Sequence, residues 1–232
     1  MKDIPRINDG KNPILEENGE WYLCIALRTC LVTQHSDLDT IVEEYAKPFL
    51  LEGDILFLSE KMVACTEGRA IPMENIRSGF WAKLLCRFVQ KSPYGIGLAL
   101  PETMQCAIWE CGLPRILLAA CLGAADKLLH RNGWFYRVAG RQAAAIDGPC
   151  EFTIPPYNHC VVLAPKNAQQ TADSLAEGLP GITVLVVDIN DLGGEVLGAS
   201  DGSGNRFASL LRQNPLGQSD EQTPMGILRR LT

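Results

Sequence analysis

The sequence predicts an α+β fold with mixed sheets, in which apolar strand segments alternate with helix signals along one chain. Three observations carry that prediction. Short apolar runs at 55–58, 160–164 and 182–187, the last broken only by Thr183, have the length and composition of buried strands. Stretches opening at Pro101 and Pro114, the second ending at Asn132-Gly133, have the length and terminal chemistry of helices. The 232 residues, 47% of them hydrophobic, suffice for a core of their own, which excludes intrinsic disorder.

Taken in order, residues 1–20 are polar and form a leader or an edge segment, and the apolar pattern begins at Trp21. Residues 21–232 then make a single α+β domain or two subdomains. Ser36 followed by Asp39 resembles a capping box, and Ile41, Val42 and Tyr45 recur at helical spacing up to Pro48. Glu52-Gly53-Asp54 turns the chain into the strand Ile55–Leu58, which delivers Ser59, Glu60 and Lys61 just beyond its carboxyl end. After the two proline-initiated helices, Trp134, Tyr136 and Val138 alternate with Phe135 and Arg137, a strand pattern, and Asp147 stands at the end of RQAAAID. The run CVVLA is a strand, Asn167 caps a helix over 168–178, Gly178 to Gly181 turns, and Ile182–Val187 is a second strand. These three elements predict a βαβ unit with parallel strands, whose carboxyl edge holds Asp188, Asn190 and Asp191.

Charge narrows the function. With 21 Lys+Arg against 27 Asp+Glu and a net charge of −6, the chain has no basic run to track a phosphate backbone, so no nucleic-acid partner is expected. No apolar stretch reaches the roughly 18 residues of a membrane span, and the amino terminus lacks the apolar core of a secretory signal. A cytoplasmic protein without a membrane partner is expected. Nine cysteines without a CxxC pair read as reduced thiols, mainly core filler. His35, His130 and His159 lack metal-ligand spacing, and no G-x-S-x-G occurs, which disfavours zinc chemistry and serine hydrolysis.

Three groups of residues can carry chemistry. Asp188-Ile189-Asn190-Asp191 precedes the glycine-rich LGGEVLGASDGSG, a composition that lets a backbone approach phosphate and a carboxylate hold a divalent ion, or equally a solvated loop. Asp147 is a turn former on its own, and a hard-oxygen metal ligand if it converges with Asp188. Lys61, Glu67 and Arg69 share one parity, so an extended segment aims all three at one face, where they grip phosphates or pair with each other in solvent.

The motifs GDILFLSEKMVACTEGR, PYGIGLALPETMQ, AAAIDGP and VLVVDIN, in this order, resemble those of the coenzyme F420-0:gamma-glutamyl ligase family, from about 40 to 212. The first motif matches at Gly53, Asp54, Lys61, Glu67, Gly68 and Arg69, and the family's two aspartates fall on Asp147 and Asp188, with its asparagine on Asn190. The resemblance implies an α+β homodimer that uses GTP, or ATP, with Mn²⁺ or Mg²⁺ and with K⁺ assisting. It would join glutamate, as amine substrate, to coenzyme F420-0 or a related small-molecule acid by an amide bond formed through an acyl phosphate.

The implied roles are Lys61 and Arg69 in catalysis, Ser59, Lys61, Glu67, Gly68 and Asn190 at the nucleotide, and Asp147 and Asp188 at the metal. The chain departs from the pattern in three ways. Cys65 replaces a lysine, Ile189 a threonine, and Gln213 and Asn214 stand where an acidic ligand is expected, leaving Asp220 or Glu221 as substitutes. A non-catalytic nucleotide- or metabolite-binding relative and a metal-dependent phosphohydrolase are the rival readings.

Overall fold

Ile14–Glu17 (β1) and Glu20–Leu27 (β2) form an antiparallel hairpin. Asn18 and Gly19 both have positive φ, 52° and 82°, the turn geometry that an Asn-Gly pair favours because it matches strand twist. The computed structural model describes residues 8–89, 97–128, 133–190, 193–202, 204–217 and 220–231. The chain divides into unit 1, Met1–Gly68 with Pro165–Thr232, and unit 2, Arg69–Ala164.

Unit 1 continues with Leu38–Tyr45 (α1), Ile55–Ser59 (β3) and Glu60–Thr66 (α2). The cap of α1 is Asp37, whose Oδ2 accepts from Thr40 N at 3.0 Å, rather than the expected Ser36. Ser36 is occupied elsewhere, its Oγ accepting from Thr33 N at 2.9 Å.

Unit 2 comprises Ala70–Pro72 (β4), Phe80–Leu85 (α3), Pro101–Cys111 (α4), Leu113–Leu128 (α5), Trp134–Ala139 (α6), Arg141–Ala144 (α7) and Cys160–Val162 (β5). Its core gathers Met104, Cys106, Ala107, Ile116, Ala119, Ala139 and Val161. The expected strand at 134–138 is the helix α6. Gly133 and Gly140, with φ of 112° and 91°, bracket it, and Phe135 packs on Gly123 of α5, where a Cβ would stand 3.1 Å from the Phe135 Cβ. Packing against α5 overrides the two-residue alternation.

The chain then returns to unit 1 as Ala168–Glu177 (α8), Thr183–Asn190 (β6), Gly193–Ala199 (β7), Ala208–Leu211 (α9) and Met225–Leu231 (β8). A six-stranded sheet runs β1-β2-β8-β3-β6-β7, and β4 pairs with β5 in a separate two-stranded sheet. The fold is therefore α+β as expected, but β5, α8 and β6 are not a βαβ unit. β5 pairs antiparallel with β4 inside unit 2, and the parallel neighbour of β6 is β3. The glycine-rich segment after Asp188 is likewise strand β7, and Asp191 lies outside the described residues.

The sheet buries Ile55, Phe57, Leu185, Val187 and Leu228 with Phe207, Leu210 and Leu211. Helix α8 lies against β6 and β7, and glycine makes that approach possible, since a Cβ on Gly198 would meet Ala168 O at 2.5 Å. Five of the nine cysteines are buried: Cys24, Cys65, Cys86, Cys106 and Cys160. Among the described residues no single helix is long and apolar enough to cross a membrane.

Candidate functional site at the carboxyl ends of β3 and β6

β3 is fully buried from Ile55 to Leu58 and loses its apolar pattern at Ser59. Ser59 keeps extended geometry, φ −67° and ψ 145°, and its Oγ accepts from Met62 N at 3.3 Å, capping α2. This cap is why 60–66 is helical, and Met62, Val63, Ala64 and Cys65 then supply the buried face of α2. The extended segment expected to align Lys61, Glu67 and Arg69 is absent, because a helix turns about 100° per residue.

The sheet register pairs Ser59 with Val187 in parallel. The next residues along are Glu60 and Lys61 on one side and Asp188 on the other, so Ser59, Lys61 and Asp188 all lie at the carboxyl ends of one parallel pair. Asp188 is half-buried and faces Glu195 across the β6–β7 hairpin. The hairpin register shifts between Val186 and Val187, an irregularity of the sort that redirects side chains beside functional sites. Asn190 is the last residue of β6, opposite Gly193. The pattern of burial on unit 1 thus brings Ser59, Lys61, Asp188 and Asn190 to one strand-end edge.

Glu67 and Gly68 lie at the other end of α2. Both carboxylate oxygens of Glu67 accept backbone N–H groups at the start of α8, from Lys166 at 2.7 Å and Asn167 at 3.0 Å. Asn167 itself makes no side-chain cap bond, so the cap of α8 comes from 100 residues away in sequence. Gly68 has φ 69°, which returns the chain tightly after the helix.

Two predicted residues belong to unit 2. Arg69, 7% exposed, donates from Nε to Ala164 O and from Nη2 to Glu110 Oε2 at 2.6 Å. Asp147 follows α7 rather than a strand and forms a bridge with Val162, with reciprocal N–H to C=O bonds of 2.9 Å. Glu110, the partner of Arg69, was not singled out by sequence, although it is the one charged residue between Glu102 and Arg115. Near the carboxyl end, Asn214 is 1% exposed and adopts φ 46°, and the Glu221 carboxyl group lies over Gly217.

A model of the F420-0:gamma-glutamyl ligase family matches residues 26–196. The chain belongs to that family. The match runs from Ala26 in β2 to Val196 in β7 and includes Ser59, Lys61, Glu67, Gly68, Arg69, Asp147, Asp188 and Asn190, but not Asp220 or Glu221. The family is one of ligases acting in coenzyme F420 formation, so membership places the chain among enzymes. Strand β8, which lies between β2 and β3 in the sheet, falls outside the matched segment. No curated protein sequence matches the chain.

Within this gamma-glutamyl ligase-type chain, no group of three or more His, Cys, Asp or Glu side chains is gathered to hold a metal ion among the described residues. Mg²⁺ and Mn²⁺ on nucleotides use one or two carboxylates, phosphate oxygens and waters. Asp188 and Asp147 supply carboxylates of the type that donor set uses; a dedicated protein cage would need more.

Proposed function

We propose that this chain is a nucleotide- and divalent-metal-dependent ligase that joins the amine of glutamate to a carboxylate of coenzyme F420-0 or a related acceptor. The single observation that carries this reading is the parallel register Ser59↔Val187, by which Ser59 and the following Lys61 fall at the same strand-end edge of the sheet as Asp188. A cation and a carboxylate at such an edge suit a metal-bound polyphosphate. Ser59, Lys61 and Asn190 contact the nucleotide, GTP or alternatively ATP, while Asp188 of unit 1 and Asp147 of unit 2 are each candidate ligands of Mn²⁺ or Mg²⁺, with K⁺ assisting.

The substrate carboxylate oxygen attacks the γ-phosphorus, the nucleoside diphosphate leaves, and an acyl phosphate forms. The glutamate amine then attacks the acyl carbon, phosphate leaves, the ammonium loses a proton, and an amide remains. Lys61 offsets negative charge on the transferring phosphoryl group. A divalent cation, when bound, neutralises phosphate oxygens. Arg69, engaged with Glu110 and Ala164, supports the reaction by holding unit 2 in shape. The working assembly in this reading is a homodimer.

A second reading, a non-catalytic nucleotide- or metabolite-binding relative, is favoured by the amides Gln213 and Asn214, with Asn214 buried, where the resemblance puts an acidic ligand. Calorimetric titration with GTP and with ATP, each in Mn²⁺ and in EDTA, tests the premise the readings share. Metal-dependent binding lost in Asp188→Asn, followed by amide product with a carboxylate and glutamate, is the expected result. Binding without amide product selects the second reading, and binding unchanged in Asp188→Asn removes Asp188 from the site.

A further inference from the structure

Helix α3 and the 3₁₀ turn that continues it, Cys86–Phe88, invert the usual amphipathic arrangement of a surface helix. Ala82, Leu85 and Cys86 are buried, as one face must be. The opposite arc is apolar as well. Phe80 is 72% exposed, Phe88 68% and Trp81 42%, and the Phe80 and Trp81 rings meet edge-to-face at 5.4 Å.

At about 100° per residue, Phe80, Leu84, Phe88 and Trp81 fall in one continuous sector, and Lys83 and Arg87 fall along its flank. Lys83, Arg87 and the preceding Arg77 are all exposed. No Asp or Glu occurs between Glu74 and Glu102, and Glu102 Oε1 accepts from Ser78 Oγ at 3.4 Å. The whole of Arg69–Ala164 carries ten Lys+Arg against six Asp+Glu, in a chain whose total charge is −6.

We propose that this face of unit 2 is a peripheral docking surface for an anionic lipid bilayer, with Phe80, Trp81 and Phe88 entering the headgroup–acyl boundary and Arg77, Lys83 and Arg87 contacting lipid phosphates. Exposed aromatic side chains next to cations are the chemistry of an interfacial anchor, which gains apolar burial and electrostatic attraction together. Charge decides against a second copy of the chain as the occupant: a two-fold contact through this face sets three cations against three cations, outnumbering the acid beside them, Glu102. The expectation of no membrane partner rested on the length a spanning helix needs, and surface docking requires no span.

The test is flotation of the full chain with vesicles of phosphatidylcholine alone and of phosphatidylcholine with phosphatidylglycerol. The expected result is binding to the anionic vesicles, weakened about fivefold for each cation removed in Lys83→Gln and Arg87→Gln, and abolished in Phe80→Ser/Phe88→Ser. Release of the unaltered protein from anionic vesicles by added salt checks the same point without any variant. The proposal is overturned by absence of binding to anionic vesicles, or by equal binding to neutral ones. It is also overturned if the two-phenylalanine variant changes the sedimentation coefficient from dimer to monomer, or if the same variants lose affinity for single-stranded RNA.

Discussion

Arg229 and Asp54, 175 residues apart, form a bidentate ion pair: Nε donates to Oδ1 at 2.9 Å and Nη2 to Oδ2 at 2.7 Å. Asp54, 3% exposed, also accepts from Leu51 N at 2.8 Å, and Arg229 Nη2 donates to Phe49 O at 2.7 Å. The pair therefore pins β8 to the turn that launches β3. Its hydrogen bonds to Asp54 hold the Arg229 guanidinium above its ordinary pKa.

Removing the cation leaves a buried carboxylate without its counter-ion, held only by the Leu51 N–H among the bonds described. Arg229→Ala is expected to lower unfolding free energy by about 3 kcal/mol, read by urea denaturation. The double variant Asp54→Ala/Arg229→Ala should lose clearly less than the sum of the two single variants, because neither then leaves a stranded charge.

Glu67 caps α8 through two backbone N–H groups. Glu67→Ala is expected to cost about 1 kcal/mol, with faster hydrogen exchange concentrated at Lys166, Asn167 and the first turn of α8. Unaltered exchange there, together with weakened nucleotide binding, would instead assign Glu67 to the ligand.

Gly198 admits α8 to the sheet. Gly198→Val should destabilise by about 1–3 kcal/mol, because the 2.5 Å approach is to the Ala168 carbonyl and its neighbouring backbone and no side chain can swing aside. Gly202→Ala is the contrasting control: its Cβ would meet nothing within 4 Å, though φ is 70°, so only the smaller backbone strain is expected.

Burial pushes the thiols of Cys24 and Cys106 up to about 12 from 9.0. Above pH 9 the unfolded chain loses these protons while the folded chain keeps them, so the unfolded state binds fewer protons and stability falls as pH rises toward 12. Thermal unfolding between pH 8 and 10.5 should show that decline, and Cys24→Ala/Cys106→Ala should flatten it even if its overall stability is lower.

The strands at 55–58 and 182–187 were legible because a strand buried on both faces is apolar almost throughout, with Thr183 the one polar residue in the two runs, and Ser59 and Asp188 were legible as the points where each run ends. What misled was local ambiguity. Trp134, Tyr136 and Val138 satisfy a two-residue period, yet the element is settled by Gly123, which receives Phe135 from elsewhere in the chain. The partner of Cys160–Val162 is a three-residue strand, Ala70–Pro72, too short to leave a pattern, so the two apolar runs were joined into a βαβ unit instead.

The grouping of Lys61, Glu67 and Arg69 failed for one reason, the Ser59 cap that turns the segment helical. The same helix separates Lys61, at the strand end, from Glu67, at the start of α8. Nothing local in sequence announces a contact such as Glu67 with Asn167 or Arg229 with Asp54, since both depend on how distant segments pair.

Leu163 N donates to Arg69 O at 3.0 Å, which makes the entry and exit of the Arg69–Ala164 segment neighbours, and that segment contributes no strand to the six-stranded sheet. In genetic terms it is a cassette. A gene in which the codons for 69–164 are exchanged for a short glycine linker still encodes every strand of the larger sheet, together with Ser59, Lys61 and Asp188, while it deletes Asp147 and the aromatic face of α3. Cassette exchange thus separates the two candidate carboxylates at the level of DNA, without a single point substitution in either.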